Sequence, residues 1–234
     1  MTPEEAKALQ QRLRAEVVPA PPPGFAPRRF AGLDVSFSRG SDVAYAGIAV
    51  LERGAGGAFA TVAEASAVAT LTFPYIPGYL SFRELPALAE AWARLDPAAR
   101  PDVLVFDGQG IAHPRRFGIA CHGGLAFGVP SVGCAKSILV GTHGPLATER
   151  GATAPLEHRG EVVGMALRLR AGVKPVYVSP GHLMDLDTAV AVVLALDAGF
   201  REPETTRRAH RLVNRLRRDA EAADASADAS ADTR

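Results

Sequence analysis

Apolar and polar positions alternate with a helical rhythm over about residues 3–18, which predicts an amphipathic opening helix. The stretch "PAPPPGFAP" (19–27) ends it, because a helix cannot continue through proline. The rhythm then changes. "RFAGLDVSF" (29–37), "VAYAGIAVLE" (43–52) and "FATVAEASAVATLT" (59–72) read as strands, although the alanines of the third also suit a helix. Short glycine-containing turns between them predict an antiparallel meander. Leu85, Leu88, Trp92 and Leu95, spaced at three and four, predict a helix over 81–95. "PDVLVFDGQG" (101–110) is an apolar run closed by an acid and glycines, the pattern of a buried parallel strand. A helix near 117–128 and a strand at "PSVGCAKS" (130–137) follow. Beyond them come strands at "EVVGMALRLR" (161–170) and "KPVYVSPGH" (174–182), a helix over 186–199 capped by Gly199, and a last helix after Pro203.

Three antiparallel strands, a crossover helix and then parallel strands predict an α/β fold, a mixed sheet with helices on both faces. The connectivity is similar to that of the ribonuclease H-like fold, which by itself assigns no chemistry. One domain is expected over 1–219. The remainder, 220–234, repeats Ala, Asp and Ser with nothing to pack and is expected to be a disordered tail.

Composition narrows this little. Hydrophobic residues make up 47% of the 234, enough to fill one large core. The net charge of +1 gives no global signature of a nucleic-acid binder, so any basic footprint must be local. Two cysteines, Cys121 and Cys134, are too few for a disulfide scaffold or a structural zinc site and are expected to be reduced. The N-terminus has no apolar signal region, and the longest apolar run, "AVAVVLAL", is too short to span a bilayer. A cytoplasmic protein with no membrane partner is expected, and a monomer.

Three acids stand out by position. Asp34 lies within the first strand, where aspartate is disfavoured and costly to bury; a solvent-facing edge position is the ordinary alternative. Asp107 ends an apolar strand, where open sheets gather ligand groups, or else caps a turn. Glu84 opens the crossover helix, where it would also favour the helix dipole. If the first and fourth strands are neighbours, Asp34 and Asp107 come side by side. Clustered carboxylates repel unless a hard cation sits between them. Magnesium, or manganese in its place, suits such a cluster, and phosphoryl chemistry suits the cation.

Lys136 follows a strand and would stand near the same strand ends to neutralise a phosphate, unless it is an ordinary surface lysine. His113 precedes Pro114, Arg115 and Arg116, a loop that reads as a phosphate contact. Arg208, Arg211, Arg215 and Arg218 fall within an arc of about 80° on the last helix, a stripe whose ordinary meaning is a solvated face. His210 lies towards Val213, away from that stripe, which predicts an inward-facing ring. Cys121 and His122 are adjacent in sequence, which argues against a nucleophile–base pair.

Several segments together resemble one family. They are "GLDVSF", "PYIPGYLSFRE", "DVLVFDGQGIAHPRRFGIACHGG", "PSVGCAKS", "VSPGH" and "REPETTRRAH", in the family's order over about residues 30–210. The resemblance is to endonuclease V, a deoxyinosine 3′-endonuclease of DNA repair. It implies a ribonuclease H-like core and magnesium-dependent cleavage of the second phosphodiester bond 3′ to deoxyinosine, with inosine-containing RNA as the alternative substrate. It implies metal binding by Asp34, Asp107 and Glu84, with catalytic parts for Lys136 and His113 and a weaker one for His210. It also implies that Tyr75 is a wedge. An enzyme that reads a base edge takes the base out of the stack, and a stiff aromatic loop can fill the gap. Pro77 would stiffen that loop, Gly78 would let a base approach, and Arg115 would contact the nucleic acid.

Overall fold

A computed structural model of the chain describes residues 1–38, 40–54 and 56–231, with side chains as far as residue 223. Its sheet is built from β1 (Arg29–Phe37), β2 (Val43–Arg53), β3 (Phe59–Thr70), β4 (Val103–Phe106) and β5 (Ser131–Ala135). To these it adds β6 (Thr142–His143), β7 (Thr153–His158), β8 (Glu161–Leu167) and β9 (Val176–Pro180). The spatial order is β3-β2-β1-β4-β5-β9-β8-β7-β6. β1 to β3 form the expected antiparallel meander, and β4 and β5 then run parallel to β1. The alanine-rich third segment is a strand because it pairs with β2 along its whole length.

Beyond β5 the sheet turns antiparallel, with β9 beside β5 and a β6–β8 meander outside it. Neither β6 nor β7 is predicted from the sequence. β6 has two residues and β7 is interrupted by Pro155, so neither shows a periodic run, and pairing with neighbours alone makes them strands.

Alternation along the strands divides the core. Ala31, Leu33 and Val35 of β1, with Leu104 and Phe106 of β4, face α2 (Leu80–Arg94) and α3 (Ile119–Phe127). Phe30, Val103, Val105 and Val132 face α4 (Leu186–Ala195) on the opposite side. α5 (Glu204–Ala231) crosses β1 and β2 on that second face. Helices therefore cover both faces. α1 (Pro3–Leu13) ends earlier than the apolar rhythm predicts, giving way to a short 3₁₀ turn over Arg14–Glu16.

Two helix ends depart from expectation. α4 stops at Ala195, four residues before Gly199, because the Asp197 carboxylate takes the Gly199 N–H and pairs with Arg150, drawing the chain out of the helix. α5 runs on to Ala231, through most of the segment predicted to be a disordered tail; residues 232–234 lie outside the described residues. Alanine is the best helix former, and extending an existing helix costs no new nucleus.

The approach of α5 to β1 depends on Gly32. A Cβ there would lie 2.1 Å from the Thr205 carbonyl oxygen, so the helix backbone rests directly on the strand. Gly32→Ala is expected to cost about 1–3 kcal/mol of unfolding free energy in urea. Gly56→Ala, which meets nothing within 4 Å, should stay within about 0.5 kcal/mol of the parent.

Candidate active site

In the parallel β1–β4 pair, Leu33 lies opposite Phe106, where β4 ends, so Asp107 leaves β4 beside Asp34, which is still within β1 and paired with Gly47 of β2. Asp34 shares the face of Gly32, beneath α5. Glu84 comes from the second turn of α2 rather than its first residue. Its carboxyl is driven well above the ordinary range by burial, then by the charges of Asp34 and Asp107, against a weaker pull from Arg83. Burial also raises Asp107, with Asp34 and Glu202 adding to the effect and Lys136 opposing it. The three acids line one cleft of about 490 Å³, where the Asp34 charge bears on both Glu84 and Asp107.

A lysine and a histidine meet this cluster. Lys136 Nζ lies 2.7 Å from Asp107 Oδ2 and 3.2 Å from Glu202 Oε2. Burial pulls its pKa down, but the two carboxylates outweigh that and raise it to about 12. Glu202 is a site residue that the sequence reading misses, since an acid before Pro203 carries no periodic or spacing signal. The Arg201 side chain beside it donates to the Lys136 carbonyl at 2.7 Å, so one loop grips Lys136 at both ends.

His210 does not face inward as expected. Ala209, Leu212 and Val213 take the buried side of α5, and the His210 side chain is 55% exposed at the cleft rim. Its Nδ1–H donates to Asp34 Oδ2 at 2.9 Å, a bond that raises its pKa. The other Asp34 oxygen accepts the Val35 N–H at 2.8 Å. On the same helix, Arg208 pairs with Glu204 and Arg215 with Glu64, so half of the basic stripe is matched by acids.

Across the cleft, residues 73–79 form a loop built on a turn. Pro77 and Gly78 are its central residues, Gly78 has φ +83°, and the Tyr79 N–H returns to the Ile76 carbonyl at 2.9 Å. That is the type II pattern, in which proline presets the first central position and glycine tolerates the second. Tyr79 packs with Phe73 and Phe82, while Tyr75 stands 69% exposed over the cleft.

The Gly78 carbonyl accepts three donors: His113 Nε2–H at 2.9 Å, Arg115 Nη2 at 2.6 Å and Gln10 Nε2 at 3.1 Å. His113 Nδ1 accepts the Arg115 N–H, which leaves Nε2 as the protonated nitrogen. Burial lowers the His113 pKa to about 4, so the ring is neutral. The Arg115 guanidinium lies 4.3 Å from the Tyr79 ring centroid, and Arg116 reaches Glu161 and the carbonyls of His113 and His158. The sequence reading places His113 and both arginines at a phosphate. In the structure all three side chains also have partners within the protein. Cys121 is fully buried with its thiol pushed up to about 12, and His122 turns to Ser81, so the two form no pair.

The donors that converge here are carboxylate oxygens, which hard divalent cations prefer. Among the described residues, no three acidic, histidine or cysteine side chains close around a single point. The elevation of Glu84 and Asp107, by burial first and by neighbouring carboxylates after it, is nevertheless the electrostatic condition that a cation relieves. The residues fit a magnesium or manganese site.

A family model described as Endonuclease V matches residues 10–211. The Endonuclease V of Myxococcus xanthus is 64% identical over 96% of this chain and 94% of its own. Among solved structures, Streptomyces avermitilis Endonuclease V has a TM-score of 0.85 at 45% identity, covering 94% of this chain and 95% of its own. The catalytic domain of human Endonuclease V has the same TM-score at 34% identity, covering 94% and 97%.

The buried, neutral His113 makes a signed prediction. Its folded pKa of about 4 lies below the ordinary 6.5, so between those values the unfolded chain holds more protons. Its contribution is therefore lost as pH falls from 6.5 to 4. Urea unfolding of the parent and His113→Gln should show the parent losing up to about 3 kcal/mol more than the variant across that window.

Proposed function

The chain belongs to the endonuclease V family, and from that footing we propose that it is a magnesium-dependent DNA-repair nuclease specific for deoxyinosine. It hydrolyses the second phosphodiester bond 3′ to the lesion, leaving 3′-hydroxyl and 5′-phosphate ends. The observation that carries this reading is the meeting of Asp34, Asp107 and Glu84 on the floor of the cleft that Tyr75 overhangs.

Asp34, Asp107 and Glu84 would hold the cation. When bound, it supplies positive charge to the phosphodiester and makes a coordinated water more acidic. The chain's own groups do the rest. Lys136 already carries its proton beside Asp107 and offsets charge that builds on the phosphate oxygens. His210 orients the Asp34 carboxylate through its Nδ1–H. Tyr75 stacks into the space vacated by the displaced base, and its exposed position on a proline-stiffened loop suits that task. His113 holds the turn through its Nε2–H, which donates to the Gly78 carbonyl. Inosine-containing RNA, which the same site could cut, is the substrate to test alongside.

The test is a labelled duplex bearing one deoxyinosine, beside a deoxyadenosine control and an inosine-containing RNA. Each is incubated with magnesium or with EDTA. A magnesium-dependent cut at the second 3′ bond of the deoxyinosine strand alone is the expected result. Asp107→Asn should lower kcat by about 10²-fold or more. Tyr75→Ala should lower kcat/KM on the duplex by about 10-fold or more. Cleavage confined to RNA would overturn the substrate, and no cleavage would overturn the activity.

A further inference from the structure

Gln10 is fully buried on α1, a helix whose other polar positions are not. Its side-chain amide works in three directions. Nε2 donates to the Gly78 carbonyl at 3.1 Å and to the Phe117 carbonyl at 3.2 Å, and Oε1 accepts from Arg115 Nε. One side chain thus joins the turn under Tyr75 to the loop that carries His113 and Arg115. The apolar residues beside it continue the contact: Ala6 and Leu9 of α1 belong to the cluster that holds Phe73, Ile76, Tyr79 and Phe82.

We propose that α1 braces the wedge loop and that Gln10 is the positioning residue through which it does so. Tyr75 is too exposed for its own packing to fix it, so its place is set by the backbone on either side. On the C-terminal side, beyond the turn's own bond from Tyr79 N–H to the Ile76 carbonyl, the side-chain donors converge on the Gly78 oxygen, and Gln10 both donates to that oxygen and steadies the Arg115 guanidinium that also donates to it. Removing the amide loosens the turn twice over. The proposal rests on the reading of Tyr75 as the wedge. It assigns a function to a helix distant in sequence from every acid of the site, and Gln10 itself touches no reacting atom.

Two variants and two measurements separate positioning from folding. Gln10→Met keeps the length of the side chain and removes all three bonds. Gln10→Glu keeps an acceptor for Arg115 and removes both donations. Amide hydrogen exchange of the free protein should quicken about tenfold at Tyr79, the N–H that closes the turn, in Gln10→Met, and less in Gln10→Glu. The amides of β9 and α4 should exchange as in the parent. On the deoxyinosine duplex, KM for Gln10→Met should rise about tenfold with kcat within twofold. On a single strand, where there is no stack to open, KM should change little. Unchanged exchange at Tyr79, or equal quickening throughout the molecule, would overturn the brace, as would failure of both variants to fold. If the parent does not cut the duplex, the proposed activity falls, while the exchange comparison still decides whether Gln10 holds the turn.

Discussion

Burial and two neighbouring negative charges lift the Glu84 carboxyl far above its ordinary range, and similar surroundings lift Asp107. Carboxylates gathered in this way oppose the fold unless opposite charge meets them. Much of the architecture serves to hold them there. Parallel pairing of β1 with β4 sets Asp34 beside Asp107, and α2 packs on the same strands to deliver Glu84. α5 lies directly on Gly32 and brings His210 to Asp34, while the loop before it brings Glu202 and Arg201 to Lys136. Protein cations therefore answer part of the negative charge, and a divalent ion would answer the remainder.

The opposite wall of the cleft follows another logic. It carries an exposed aromatic ring beside a turn whose flanking residues Ile76 and Tyr79 pack on an apolar cluster, and a single carbonyl oxygen of that turn gathers three side-chain donors. Three donors on one acceptor, two of them from the same loop, make the position of the turn depend on distant parts of the chain. A reactive floor and a stiff aromatic rim are what an enzyme needs if it is to displace one base and cut a neighbouring bond. Neither wall alone distinguishes it from other cation-dependent nucleases.

Residues whose roles are local were legible in the sequence. Asp34 lies inside one apolar strand and Asp107 closes another, and Pro77 and Gly78 mark a stiff loop between strand and helix. The meander and the two central parallel strands follow from periodicity. What escaped depends on contacts between remote segments. Gln10 looks like one more polar position on an amphipathic helix, because its partners lie 68, 105 and 107 residues away. The internal acceptors of Arg115 and Arg116, on Gln10, Gly78 and His158, likewise come from segments remote in the sequence. The β6–β7 pair is too short and too irregular to show a period. The length of α5 was missed for a different reason: alanine-rich polar sequence fits a disordered tail and a continuing helix equally well.

Asp34, Asp107 and Glu84 form a cation site in the folded protein if the proposed chemistry holds. The most direct test is the thermal midpoint of the parent and of Asp107→Asn as manganese is raised from zero to millimolar concentration, without nucleic acid. An ion that binds only the native state raises the midpoint with concentration. The account predicts a progressive rise for the parent and little or none for Asp107→Asn. A parent midpoint that does not move, or one that rises equally in both proteins, would contradict it.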